Sequence, residues 1–553
     1  MPGAPFRIAF VLLLALSAPA RAGERSDRTM VIVHSAALTS AAESWSAYRV
    51  SDGWTVVRIP IDAGAAPEAI RTRIRACLRR ARSNEPASSD APHETAILLL
   101  GDADAIPPFP FEQPDPRLVT PGTEASFISD HPYRLADDRD EVPDWSLGRV
   151  PARSNDEAES VLAKVRQYEQ EAPPGAWRAR LAFVAGEGRF GAADQLLETL
   201  FRAMVETMLP PSSDLSMIYA SPASSYCPPP SQLEDAVVSR LGEDNLLFVY
   251  LGHGSPHALD RLRIGRAAFP ILGRGAVARL DTPRAGLPIA FLGCCSTGWF
   301  DEPSGKPCLA ESMLLTPGGP AAVIAGSRPT HPYGTAVLQK NLTRILLEVQ
   351  PPTVGELDRL IDAAMLHRSA ADLVLDGAAA PVAAAMHWPV GLSGLRLMHV
   401  RMYNLLGDPA MRIAYPRARV TELSIRDGVL RGVVHGIDEG TARVTVETRR
   451  DDCVRPDALE AVLGADDPEL ERKARSNFET MADRTLAVTS AAVRNGAFEA
   501  RLPRPMPERA AIVRVVIEST GPPAARREAI GGLRLPAPGT GRDRREPTRP
   551  LTQ

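Results

Sequence analysis

Two adjacent cysteines close an apolar run in "LPIAFLGCCSTGWFD", residues 287–301, and a histidine between two glycines closes another in "NLLFVYLGHGSP", residues 245–256. A third run, "ARLAFVAGEG" at 179–188, leads into Glu187. A thiol becomes a strong nucleophile once a base takes its proton, and imidazole is the side chain suited to that near neutral pH. Cys and His therefore point to covalent catalysis if the chain brings them together. Two other chemistries fit less well. Adjacent cysteines seldom bond to each other, because disulfide geometry is hard to reach across one peptide unit. Zinc sites pair cysteines at short spacings and complete the set with further Cys or His. Here the next cysteine is Cys308, and no second pair stands nearby. Alternation along 289–293 leaves Cys294 to pack and lets Cys295 open the loop.

The elements that must position these residues follow a repeated grammar. "TMVIVH" at 29–34, "WTVVRIPI" at 54–61, "TAILLLGDADAIP" at 95–107 and "WSLGRVPA" at 145–152 read as strands, separated by helical stretches and followed by a charged helix from Asp156 to Glu171. Alternation of this kind specifies a parallel sheet with helices on its faces. A second unit repeats it, with strands at 179–188, 245–256, 287–298 and 321–327 and helices at 191–208 and 309–319. Three of its strands end in loops bearing Glu187, His253 and Cys295. Function in open parallel sheets gathers beyond the carboxyl ends of the strands, so these three side chains are expected to meet there. From residue 418 short alternating runs such as "TARVTVETRR" and "AIVRVVIEST" take over, with a charged, helix-prone insertion near 455–482. The expected fold is α/β: two Rossmann-like parallel-sheet units at 28–174 and 175–416, then a small all-β, immunoglobulin-like sandwich at 417–535. The Pro/Arg-rich tail 536–553 is expected to be disordered.

Composition narrows the setting. A net charge of −4 over 553 residues provides no basic field, and nucleic acid is not an expected partner. Six cysteines in a chain of this length do not make a disulfide-stapled scaffold. Arg7, the apolar stretch Ile8 to Leu16 and the small-x-small Ala20-Arg21-Ala22 read as a cleaved secretory signal over 1–22. That stretch is far short of the roughly twenty residues a spanning helix needs. The mature protein is expected to be exported, to the periplasm, the cell surface or the medium, without a transmembrane segment.

Gly252-His253-Gly254-Ser255 and Cys295-Ser296-Thr297-Gly298-Trp299-Phe300, together with "LLLGDADAIP", "SDHPY", "LGRVPA", "LAES", "GGPAAVIAGS" and "LLGDPAMRI", resemble in kind and order the gingipain-type cysteine peptidases, a family with a caspase-like fold. The resemblance covers residues 29–415. It implies an exported endopeptidase that cuts protein or peptide substrates through a thioester acyl-enzyme and needs no cofactor for catalysis. Cys295 matches the family's nucleophile and Cys294 the small buried position before it. His253 would be the base that later protonates the leaving amine, and the N–H groups of Gly254 and Cys295 would form the oxyanion hole. Glu187 resembles the acid that steadies the histidine. Cleavage after Arg or Lys would rely on a pocket acid, for which Asp194 stands nearest, although the stretch after Glu187 is shorter than in the family. The family's pocket-wall tryptophan is missing, and His331-Pro332-Tyr333 stands near its place, with Tyr333 as the substrate-binding candidate. Asp102, Asp140 and Asp144, with the carbonyls of Asp137 and Val142, match the family's structural calcium ligands. Two other outcomes are a sortase-like transpeptidase of a secretion system and a catalytically silent surface-binding protein that keeps the fold.

Overall fold

The computed structural model describes residues 28–83, 94–116, 125–187, 209–385, 387–503, 509–522 and 525–536. The expected signal segment, the tail beyond 536 and Asp194 lie outside the described residues.

Ten strands form one sheet. In chain order they are β1 Arg28–Ser35, β2 Thr55–Ile61, β3 Glu94–Leu100, β4 Ser146–Val150, β5 Arg180–Gly186, β6 Asp214–Ala220, β7 Leu247–Leu251, β8 Ile289–Gly293, β9 Ala322–Gly326 and β10 Tyr403–Leu406. Across the sheet the order is β2-β1-β3-β4-β10-β9-β8-β7-β5-β6. Every extended ladder is parallel except that between β10 and β9. The two units read from the sequence are thus halves of a single sheet. Their splice is the four-residue β10, which pairs along β9 and meets β4 at one rung, Leu406 beside Arg149.

The strands are apolar on both faces because both are covered. Along β1 and β3, Met30, Ile32, Leu98 and Leu100 enter the main core, while Val31, Val33, Ile97 and Leu99 enter a second core on the other face. Helices α1 (Thr39–Ser51) and α3 (Asn155–Glu171) serve the first face, and α2 (Pro67–Ser83) brings Ile70 and Ile74 to the second. A buried anion fastens α1 to the splice: Trp45 Nε1 and Arg49 both donate to Asp408 Oδ2 at 2.7 Å, just beyond β10. Arg49 also pairs with Glu169 of α3 at 3.0 Å.

Seven further strands, β11 (Ala418–Arg426), β12 (Val429–His435), β13 (Glu439–Thr448), β14 (Thr485–Arg494), β15 (Ala497–Arg501), β16 (Ala511–Ser519) and β17 (Glu528–Leu535), close into a barrel in the order β11-β12-β15-β14-β13-β16-β17. Two separate sheets were expected here; hydrogen bonds join them at both edges. The joining seams are short, with only two residue pairs between β14 and β15 and two between β11 and β17. The helix-prone insertion becomes Leu470–Ala482. Ion pairs dock the barrel on the sheet: Arg514 meets Asp214 at 2.9 Å and Glu528 meets Arg178 at 3.0 Å. No helix among the described residues is long and apolar enough to cross a membrane.

Candidate active site

The pairing register brings the chemistry together. Ala185 of β5 pairs with Leu251 of β7, and Leu251 pairs with Gly293 of β8. Two residues beyond that shared rung, on three adjacent strands, stand Glu187, His253 and Cys295.

The two cysteines divide the work by burial. Cys294 is 1 % exposed, its Sγ lies 3.4 Å from Thr297 Oγ1, and burial pushes its thiol far up from the ordinary range. Cys295 is partly exposed. The backbone N–H of Thr330 donates to Cys295 Sγ at 3.4 Å, with Thr330 Oγ1 at 3.7 Å. Between them and the turn lies Ser296, whose φ of +59° is a left-handed value that a non-glycine residue adopts only when its surroundings insist. Those surroundings are explicit. Ser296 N–H donates to Arg328 O at 3.1 Å and Gly298 N–H to Gly326 O at 2.9 Å, which fixes the loop to the end of β9. Arg328 is in turn held by two 2.7 Å bonds to Asp301 and lies 4.2 Å over the ring of Trp299.

The histidine loop is fixed by its backbone. His253 O accepts from Tyr250 Oη at 2.8 Å and from Asp260 N–H at 3.1 Å. Gly254 and Ser255 then pair with Leu259 and Ala258. Gly254 is required by contact: a Cβ there would sit 2.7 Å from Cys294 Sγ and 2.8 Å from Cys295 O. The two loops touch at that point, and Cys294 forms the floor under the glycine. Helix α4 (Leu309–Leu315) locks both from its N-terminus, with Leu309 N–H on Pro256 O at 2.6 Å and Ala310 N–H on Thr297 O at 3.0 Å.

Other sequence candidates fall elsewhere. Tyr333 is the second residue of α5 (Pro332–Arg344) and is 7 % exposed; its hydroxyl donates to Asp376 at 2.6 Å and accepts from Arg396 at 2.8 Å. Asp102 is ion-paired with Arg153. Asp140 accepts from Val142 N–H at 2.9 Å and Asp144 from Ala136 N–H at 2.7 Å. Among the described residues no three His, Cys, Asp or Glu side chains are grouped to hold a metal. Sequence reasoning missed Thr330, Tyr250 and the Arg328–Asp301 pair. Their only sequence signal is position: Tyr250, Arg328 and Thr330 lie within four residues of a strand end, and Asp301 lies in the loop that follows Cys295.

The fold is a mixed α/β one built on a parallel-rich sheet, with Cys295 and His253 just beyond the ends of adjacent strands. The model of peptidase family C25 matches residues 24–414, and the chain belongs to that family. The crystal structure of the Arg-specific cysteine proteinase gingipain R superposes with a TM-score of 0.51 at 16 % identity, covering 92 % of this chain and 98 % of that one. A second solved protease gives 0.50 at 15 % identity, covering 93 % and 98 %. At these identities the superpositions show the fold. An uncharacterized protein of Archaeoglobus fulgidus is 26 % identical over 234 residues, which is 40 % of this chain and 53 % of that protein. The chain thus spans about half the length of this curated relative.

Proposed function

We propose that the protein is a cysteine endopeptidase whose dyad is Cys295 and His253. The observation that carries this reading is the shared register, which sets Glu187, His253 and Cys295 two residues past one rung of β5, β7 and β8. His253 takes the thiol proton as Sγ attacks the scissile carbonyl, and the developing oxyanion is met by the N–H groups of Gly254 and Cys295. Collapse of the tetrahedral intermediate breaks the C–N bond, His253 protonates the amine, and water then hydrolyses the thioester with His253 again as base. Glu187 steadies the imidazole. Asp194 favours Arg or Lys at P1 and Tyr333 backs the pocket wall. Export by the segment 1–22 puts the enzyme outside the cytoplasm, where proteins or peptides are its substrates. Calcium at Asp102, Asp140 and Asp144 belongs to the proposal only with a rearrangement in which Arg153 releases Asp102. A rise in melting temperature on adding calcium, absent in Asp140→Asn, supports that part; an unchanged melt rejects it.

The test is a peptide library digested by the full chain and by Cys295→Ala. The expected result is cleavage by the first alone, with a free carboxylate at each new C-terminus. Aminolysis products would favour transpeptidation, and an intact library would favour a silent binding protein.

A further inference from the structure

His399 is a histidine in a place that ordinarily takes an aliphatic side chain. It stands in α6 (Leu392–Met402) with none of its surface exposed, and a polar ring taken out of water costs stability unless its nitrogens find partners. Both do. Nδ1 lies 2.7 Å from Leu395 O, one turn back, and Nε2 lies 3.1 Å from the backbone N of His331. A carbonyl can only accept and an amide can only donate, so the proton sits on Nδ1, the lone pair on Nε2, and the ring is neutral. Burial acts in the same direction and holds the imidazole down to about 4. The seat is tight: a Cβ on Gly334, in the first turn of α5, would come within 2.3 Å of the ring.

The ring is tied to both sides of the hydrogen bond on the nucleophile. On one side, the His331 amide that it holds follows Thr330, whose own N–H donates to Cys295 Sγ at 3.4 Å. Peptide units are planar and consecutive ones share only two soft dihedrals, so fixing the amide of residue 331 constrains the one before it. On the other side, His399 stacks on Tyr403, with ring centres 5.9 Å apart and planes at 18°, and Tyr403 stacks on Phe291 at 5.7 Å and 20°. Phe291 is the middle residue of β8, the strand that runs into Cys294 and Cys295. The amide that donates to sulfur and the strand that carries the sulfur are thus referred to one buried imidazole. Two further bonds hold the segment between them, Ser327 N–H on Met402 O at 3.0 Å and Thr335 N–H on His331 O at 3.0 Å.

We propose that His399 is a positioning residue for the nucleophile: by accepting from His331 N–H it aims the preceding amide, Thr330 N–H, at Cys295 Sγ, where that amide meets the charge on sulfur once the thiol proton has passed to His253. The proposal rests on the peptidase reading above and adds to it a donor outside the oxyanion hole. A hydrogen bond to an ionised acceptor is about twice as strong as one between neutral groups, so the aim of the amide matters most in the reactive form.

Three full-length proteins separate aim from packing: the unsubstituted chain, His399→Gln and His399→Asn. The Gln carbonyl reaches the place of Nε2 and can accept from His331 N–H; the shorter Asn amide reaches only the place of Nδ1 and withdraws that acceptor. Both open space where the ring was, and both should lower the melting temperature. Iodoacetamide needs no substrate pocket, so its rate at Cys295 reports on the thiol alone. That rate, read by peptide mass spectrometry near neutral pH, should fall about tenfold in His399→Asn and stay within about threefold of the unsubstituted chain in His399→Gln. Equal rates in all three proteins, or equal losses in the two variants, overturn the proposal, because the ring would then only fill space while the dyad stands. A Cys295 that reacts no faster in the folded unsubstituted chain than after denaturation overturns the peptidase reading and this one with it. Should a variant not fold, the unsubstituted chain labelled with 15N-threonine decides: the Thr330 amide proton should move as Cys295 ionises in a pH titration, beyond any movement seen in Cys295→Ala, and an amide that moves equally in both overturns the proposal.

Discussion

The two halves of the sheet end their strands in polar residues for opposite purposes. At the ends of β3 and β4, Arg149, the penultimate residue of β4, is fully buried: it pairs with Asp130 through bonds of 2.6 and 2.7 Å and donates to Gly101 O and Ile106 O. Beyond β7 and β8, the residues that could react are held by their backbones instead, through His253 O and the amides of Ser296 and Gly298. Side chains tied into closed networks make a scaffold. The loops that carry the Cys295 thiol and the His253 imidazole take their shape from main-chain bonds. The halves meet where Arg149 lies 4.9 Å over the ring of Phe300, in the loop that follows Cys295. The scaffold half thus supports the floor of the reactive half.

The sharpest way to break this contrast is at the cysteines. Cys295→Ala is expected to lower peptidase activity by on the order of a millionfold, as loss of a nucleophile does in hydrolases. Cys294→Ala should keep most activity and lower the melting temperature, since it opens a small cavity under Gly254. In the scaffold half the effect should be on stability. Arg149→Met leaves Asp130 buried without its partner, and denaturant melts should show a loss of about 3–5 kcal/mol, while the folded fraction keeps its activity within a few-fold. Gly254→Ala forces Cys294 and the Cys295 carbonyl to move. A loss of about a hundredfold in kcat/KM is expected from displaced catalytic geometry, and unchanged kinetics would show that the two loops are not coupled there.

The smallest effect concerns pH. Glu311 of α4 is 1 % exposed, and burial raises its carboxyl to about 7. Between its ordinary value and that figure the folded state binds more protons than the unfolded state. Its contribution is therefore present in full below the ordinary carboxyl range and is lost as pH rises toward 7. Glu311→Gln should flatten the decline of stability across that window by on the order of 3 kcal/mol. Melting temperature against pH for the two proteins checks the sign.

Much of the site was legible in sequence because it obeys local rules. An apolar run long enough for one strand and closed by a glycine places the polar residues just after it at a strand end, and this sufficed to put Glu187, His253 and Cys295 beyond their strands. Burial of Cys294 followed from alternation. What escaped depends on contacts between distant segments. Four residues, Tyr403–Leu406, are too short a pattern to announce that they join two halves, and Asp408 looks like a turn residue until Trp45 and Arg49 are seen to bind it. Thr330 reaches Cys295 only because β9 lies beside β8. Closure of the barrel rests on two-pair seams that alternation alone does not distinguish from the open edges of a sandwich.

The most direct test of the central claim is alkylation of the intact protein with a small excess of iodoacetamide near neutral pH, read by peptide mass spectrometry. Cys295 should be modified first and stoichiometrically, with loss of activity in step, and His253→Ala should slow that modification by at least about tenfold. Cys294, Cys308 and Cys227 are buried and should stay unmodified until the protein unfolds. Equal labelling of Cys295 and the half-exposed Cys77, with no response to His253→Ala, would contradict the assignment of a thiol–imidazole dyad.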